Sequence, residues 1–201
     1  VGSGDRRRCT LTSPSPLLVV DAVVAGYAQR TVGPVSFTVG RGDIVGLDGV
    51  NGSGKTTLLN AIVGTARVFS GHVTCDRAAG VSVLRQFPVR LQEMPFLGSE
   101  FLEMTGASRQ EVPRHLRPLI DMRVDRLSGG QYQLLLVWAC LGSDSSLVLL
   151  DEPTNNMDPD AVDAVGHLLN AARARGQGLL VVSHEPGLLE RVCTHVVRVG
   201  R

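Results

Sequence analysis

The sequence predicts an α/β domain with a mainly parallel sheet, an N-terminal antiparallel edge and a helical insertion, and three observations carry that prediction. Residues 147–150 (LVLL) and 179–182 (LLVV) are unbroken apolar runs bounded by polar turns, the pattern of central strands covered on both faces. Strand-like and helix-like stretches alternate along most of the chain, as a parallel sheet with helical crossovers requires. Between residues 94 and 126 the strand pattern lapses, and Pro95, Pro113 and Pro118 punctuate amphipathic pieces such as 110–122.

Taken in order, residues 17–25 and 35–39 read as strands around a Gly/Pro turn, and 43–47 as a buried strand running into a glycine-rich loop. A helix follows over 55–63, then a strand near 81–84. Ser128-Gly129-Gly130 ends the helical insertion and opens a nearly all-apolar helix over 131–141, closed by Gly142 and a polar turn. A last long helix spans about 158–175, between the two apolar strands.

A chain of 201 residues with 43% hydrophobic and 19% charged residues can bury one sizeable core, which excludes collagen-like, disulfide-framework and wholly disordered classes. The 20 basic side chains balance 19 acidic ones, a net charge of +1, so no electrostatic surplus points to nucleic acid or an anionic membrane surface. Cys9, Cys75, Cys140 and Cys193 are scattered, without a C-x-x-C pair, and read as reduced thiols of a cytosolic protein. The longest apolar stretch, 17–26, is interrupted by Asp21 and falls short of the roughly 20 residues a membrane helix needs. Arg6 to Arg8 are followed by Ser, Thr and Pro rather than the apolar core of a signal peptide. Residues 1–16 therefore read as a flexible arm and 17–201 as the domain, with a helical subdomain over about 88–142.

The chemistry is concentrated in short motifs. Gly49-Val50-Asn51-Gly52-Ser53-Gly54-Lys55-Thr56 matches G-x-x-x-x-G-K-[ST] and lies between an expected strand and an expected helix, the context this phosphate-binding loop requires. Its backbone N–H groups can turn inward around phosphate oxygens at a helix N-terminus. Lys55 would reach the β- and γ-phosphates and Thr56 would ligate Mg²⁺. Lys55 is also the only lysine among the 20 basic side chains, at the one place where a compact ammonium fits and a planar guanidinium does not. Residues 147–152 form an apolar strand ending in Asp151 and Glu152. Alternation along the strand would send one carboxylate toward Mg²⁺ and the other toward an attacking water.

Leu127-Ser128-Gly129-Gly130-Gln131 completes a pattern. With the phosphate-binding loop, the strand ending in Asp-Glu-Pro and a later apolar strand ending at His184, it resembles the nucleotide-binding domain of ATP-binding cassette (ABC) proteins over about residues 17–199. That resemblance implies a P-loop NTPase core, an antiparallel β-subdomain, and a helical subdomain inserted between the Q-loop and the LSGGQ signature. It implies that Tyr27, 22 residues before Gly49, stacks on adenine, and that Asn51, Gly52, Ser53, Gly54 and Thr57 join Lys55 and Thr56 around the phosphates. Gln86 resembles the Q-loop glutamine that touches Mg²⁺ or water, and Asp151 the carboxylate near the metal. Glu152 resembles the residue that activates water, and His184, 32 residues later, the switch histidine on the γ-phosphate. Ser128 to Gln131 would meet ATP held by the other subunit, and Asp158 would cap a helix and reach across the dimer interface. Departures are Tyr132 and Leu134 where many cassettes carry basic residues, Arg85 before Gln86, and Asn156-Met157 after the acidic pair. None removes a phosphate or metal ligand.

The resemblance implies an ATPase subunit that binds ATP and Mg²⁺, pairs as a homodimer, and powers solute transport through separate membrane permease subunits on the cytoplasmic face of the cell membrane. The pieces Ser99 to Met104 and Arg109 to Val112 resemble those of divalent-metal (zinc or manganese type) importers. The alternative is a non-transport cassette of the translation or DNA-repair type. The single cassette, the absence of heptads and the balanced charge count against it, and no nucleic acid is expected as a partner.

Overall fold

The computed structural model describes residues 15–86, 95–108 and 111–200. Most of the expected arm, residues 88–94 of the expected helical subdomain, and Arg109 and Gln110 lie outside the described residues.

Strands β1 (Leu18–Gly26) and β2 (Arg30–Val39) pair antiparallel. On β2 the core side chains Val35, Phe37 and Val39 alternate with exposed Ser36 and Thr38, the period-2 pattern of a half-buried strand. β3 (Ile44–Asp48) leads into the glycine-rich loop and α1 (Lys55–Ile62). β4 (Arg67–Cys75) then pairs antiparallel with β1. β2, β1 and β4 thus form a separate three-stranded antiparallel sheet, the expected N-terminal β-subdomain, with β4 as a strand that the sequence pattern did not reveal. β4 escapes the sequence pattern because its buried positions are only half-buried and Gly71 interrupts the run. At Gly71 φ is +79°, and a Cβ would sit 2.3 Å from the Ala22 carbonyl oxygen, where the pairing with β1 shifts register.

β5 (Val81–Leu84) begins the parallel sheet, and the insertion follows with α2 (Gly98–Thr105) and α3 (Arg117–Ile120). The amphipathic stretch expected over 110–122 yields, among its described residues, only the single turn of α3. Pro113 and Pro118 lack N–H donors and confine helix to a start at Arg117. α4 (Gly129–Leu141) opens on a capping box: Ser128 Oγ accepts from the Gln131 N–H at 3.2 Å, and Gln131 Oε1 accepts from the Ser128 N–H at 2.9 Å. β6 (Leu147–Asp151) runs to α5 (Pro159–Ala174), whose N-cap is Asp158, accepting from the Ala161 N–H at 2.8 Å. β7 (Gly178–Val182), α6 (Pro186–Val192) and β8 (His195–Arg198) complete the chain.

The parallel sheet has the order β5-β6-β7-β3-β8. Its central strands divide their side chains between two cores. Leu147, Leu149, Leu180 and Val182 face α1 and the antiparallel sheet, while Val148, Leu150, Leu179 and Val181 face α4, α5 and the helical insertion. Truncating Leu180, fully buried in β7, should therefore cost about 2–5 kcal/mol. Urea denaturation of Leu180→Ala would measure it, and an unchanged midpoint would contradict the two-sided core.

Every crossover leaves from the same carboxyl-terminal sheet edge. The register pairs Leu84 with Leu150, Asp151 with Val182 and Leu47 with Val182. Loops leaving β3, β5, β6 and β7 consequently converge there, which is where open parallel sheets place their ligand crevices.

Candidate functional site

The loop after β3 folds around its own cation. Gly54 immediately precedes α1 at φ +99°, and a Cβ there would come within 2.6 Å of the Val32 Cβ, so only glycine lets the backbone run against β2. Lys55, the first residue of α1, is 5% exposed. Its Nζ donates to the Gly49 carbonyl at 2.6 Å and the Val50 carbonyl at 3.3 Å. An ammonium has three donors, so one remains for an oxygen brought into the loop. Ser53 Oγ is buried with no hydrogen-bond partner among the described atoms. An orphaned hydroxyl and a half-committed ammonium in a glycine cradle fit a bound phosphate.

A second pair of oxygens lies alongside. Thr56 Oγ1 donates to Asp151 Oδ1 at 3.3 Å, joining α1 to the end of β6. Burial pushes the Asp151 carboxyl up from the ordinary carboxylate range, and the Thr56 hydroxyl and Lys55 charge oppose that shift. No group of three or more His, Cys, Asp or Glu side chains among the described residues is arranged to hold a metal ion by itself. One hydroxyl and one carboxylate suit Mg²⁺, which commonly takes few protein ligands and completes its shell with water and substrate phosphates.

Glu152 departs from the alternation expected of a strand. β6 stops at Asp151, and Glu152 stands at φ +51° with its N–H bonded to the Val182 carbonyl at 2.8 Å. The two carboxylates diverge because the chain turns between them. Glu152 Oε1 lies 3.0 Å from His184 Nε2, and Oε2 accepts from the His184 backbone N–H at 3.2 Å. Burial raises the Glu152 carboxyl above its ordinary range, and the His184 beside it opposes the rise.

Most of these groups border one cleft of about 520 Å³, while Gly49, Ser53 and Asp151 are not among its lining residues. Asn51, Gly52, Gly54, Lys55, Thr56 and Thr57 line one side of it, and Gln86, Glu152 and His184 are also at its wall. The sequence reasoning missed Thr31, which lines the same cleft from β2. Its signal was the strand start at Arg30, five residues before the expected one, which brings Thr31 and Val32 alongside the glycine loop. Tyr27 is not among the lining residues. It follows β1 with 57% of its surface exposed, and its hydroxyl accepts from Asn60 Nδ2 on α1 at 2.8 Å. Nor do Ser128, Gly129, Gly130, Gln131 or Asp158 line the cleft. Ser128 is exposed, and a Cβ added at Gly129 or Gly130 would meet nothing within 4 Å, so the start of α4 faces open space.

The chain is similar to known proteins in both sequence and fold. The sequence profile described as ABC transporter matches residues 32–155. The zinc import ATP-binding protein ZnuC of Roseobacter denitrificans is 36% identical over 84% of this chain and 69% of that protein. The lipopolysaccharide export system ATP-binding protein LptB of Acidithiobacillus ferridurans is 32% identical over 85% of this chain and 80% of its own length. Among solved structures, the ATP binding subunit of an ABC transporter superposes with a TM-score of 0.76 at 27% identity, covering 91% of this chain and 88% of that one.

Proposed function

The chain belongs to the ABC transporter family as an ATP-binding, ATP-hydrolysing subunit, and from that premise we propose that two copies close on Mg-ATP to drive separate membrane permease subunits. The cleft that gathers Lys55, Thr56, Glu152 and His184 at one sheet edge carries this reading. No helix among the described residues is long and apolar enough to cross a membrane, so attachment to the cytoplasmic face of the cell membrane would run through those subunits. Transport is favoured over a translation or repair role by relatives named for import and export. The zinc named in one relative makes a divalent metal ion the cargo we favour.

The chemistry would be positioning and electrostatics. Backbone N–H groups of the loop and the free donor of Lys55 hold the β- and γ-phosphates. Thr56 and Asp151 would hold Mg²⁺, which when bound would supply positive charge for the phosphoryl oxygens. Glu152 orients the attacking water and accepts its proton, and Gln86 would hold that water or the metal. His184 turns its imidazole from Glu152 to the γ-phosphate. Ser128 to Gln131 present the open end of α4 to the nucleotide of the opposite copy.

The test is to purify the tagged chain from membranes of its source with whatever subunits accompany it and to assay Mg-ATP hydrolysis and uptake of zinc or manganese by reconstituted vesicles. Membrane-embedded partners and ATP-driven metal uptake are expected, and uptake of neither metal would remove the cargo assignment. In the same preparation Lys55→Arg should lower turnover at least about tenfold, because the broad guanidinium cannot fit between the Gly49 and Val50 carbonyls and a phosphate. Unchanged binding and turnover would show the lone lysine to be incidental.

A further inference from the structure

Tyr27 presents an unusual combination of exposure and constraint. It follows Gly26, which closes β1 between Arg30 of β2 and Arg67 of β4. Its ring is mostly open to solvent, yet its hydroxyl is held by the Asn60 side-chain amide at 2.8 Å. Asn60 is itself fixed. It is half-buried in α1, its Oδ1 accepts from Thr65 Oγ1 at 3.2 Å, and its carbonyl accepts from the Thr65 and Ala66 N–H groups at 2.7 and 3.1 Å. It also follows Thr56 by four residues and Thr57 by three, which places it one turn along the helix face that carries both threonines into the cleft.

We propose that Asn60 is a positioning residue for the nucleotide base: by anchoring the Tyr27 hydroxyl to α1, it holds the ring as a preset stacking platform at a fixed distance from the phosphate-binding residues of the same helix. This rests on the reading of Tyr27 as the adenine-stacking side chain. A freely rotating exposed tyrosine would have to be ordered when the base arrives, and that ordering would subtract from affinity. The anchor removes the cost beforehand. A bond to an exposed ring edge buries little surface, so its consequence should fall on binding of the base rather than on stability.

The experiment uses the full chain and two probes, Mg-ATP and Mg-tripolyphosphate, the second lacking base and sugar. Tyr27→Phe keeps the ring and deletes the hydroxyl, and Asn60→Ala deletes the donor. Each should weaken Mg-ATP binding about three- to tenfold, the loss of one neutral hydrogen bond. The double variant should be no worse than either single one. Tripolyphosphate binding should be unchanged, and KM for ATP should rise while kcat holds. Tyr27→Ala separates this proposal from its premise. If Tyr27→Ala binds Mg-ATP as wild type does, the stacking reading fails and the anchor has no function. If Tyr27→Ala weakens ATP but Tyr27→Phe does not, stacking stands and the anchor is overturned. Equal losses for ATP and tripolyphosphate in Tyr27→Phe would also overturn it, by showing a general disturbance of α1. Because Tyr27→Phe leaves Asn60 and its turn untouched, it decides the matter even if Asn60→Ala folds poorly.

Discussion

Glu152→Gln is expected to lower steady-state ATP turnover at least about 100-fold, the scale of losing a positioned general base, while Mg-ATP affinity stays within about threefold of wild type. The geometry separates the two quantities. In the proposed mechanism the glycine loop, Lys55 and Thr56 hold the nucleotide, whereas the Glu152 carboxylate lies at the cleft wall against His184 and serves the water. Glutamine has the same shape and can still accept from the His184 backbone N–H, with its amide NH2 set toward His184 Nε2, so the turn at φ +51° keeps that backbone anchor and the one to Val182. What it cannot do is take a proton. Binding then proceeds to the closed dimer without its discharge, and size-exclusion chromatography with Mg-ATP should show a dimer that wild type forms only transiently. Because burial raises the Glu152 carboxyl above the ordinary carboxylate range, wild-type turnover should fall on acidification at a higher pH than a solvated carboxylate would give. Protonation there removes the acceptor, and the variant's residual activity should lack that limb. Wild-type turnover in Glu152→Gln would remove the residue from the water-activating role.

The parts of this site visible in the sequence were those whose chemistry is written in consecutive residues. The glycine loop, the apolar strand ending in Asp151 and the LSGGQ cap each combine residue types with few other uses, and the structure puts them at the ends of β3 and β6 and the start of α4. Central strands were legible for a related reason: burial on both faces forces β6 and β7 to be apolar throughout. β8 shows three of its four residues to solvent and so carried no apolar run. α6, opened by Pro186, has only seven residues, too few to establish a helical period. The antiparallel subdomain was expected, but the membership of β4 in it is a tertiary fact, settled by its return to β1 across many intervening residues. Thr31 and Asn60 were missed likewise, since a threonine on a strand and an asparagine in a helix acquire meaning only from what the fold sets beside them. The left-handed turn at Glu152 was hidden for the opposite reason. Glutamate rarely adopts it, and only the bond to Val182 and the hold of His184 reveal why it does so here.

The separation between the cleft and the start of α4 leads to the remaining large effect. Ser128 caps α4 through Gln131, but neither residue lines the cleft that contains Lys55 and Glu152. If the open N–H groups at Gly129 and Gly130 serve a phosphate, that phosphate belongs to another copy. Ser128→Asp keeps an N-cap as good as serine and sets a carboxylate against the incoming triphosphate, so the variant should fold and bind Mg-ATP normally yet lose turnover by about 100-fold or more. Thermal melting and nucleotide titration would confirm the first two points. Mixed with Glu152→Gln, it should recover activity. Half the dimers at equal concentrations are mixed, and each holds one site with both Ser128 and Glu152 intact, giving about a quarter of wild-type activity if sites act independently. Specific activity of the wild-type chain should likewise rise with its concentration, since mass action populates the pair. A Ser128→Asp chain that hydrolyses ATP like wild type, or wild-type activity independent of concentration in a protein that stays monomeric, would instead place the complete site within one chain.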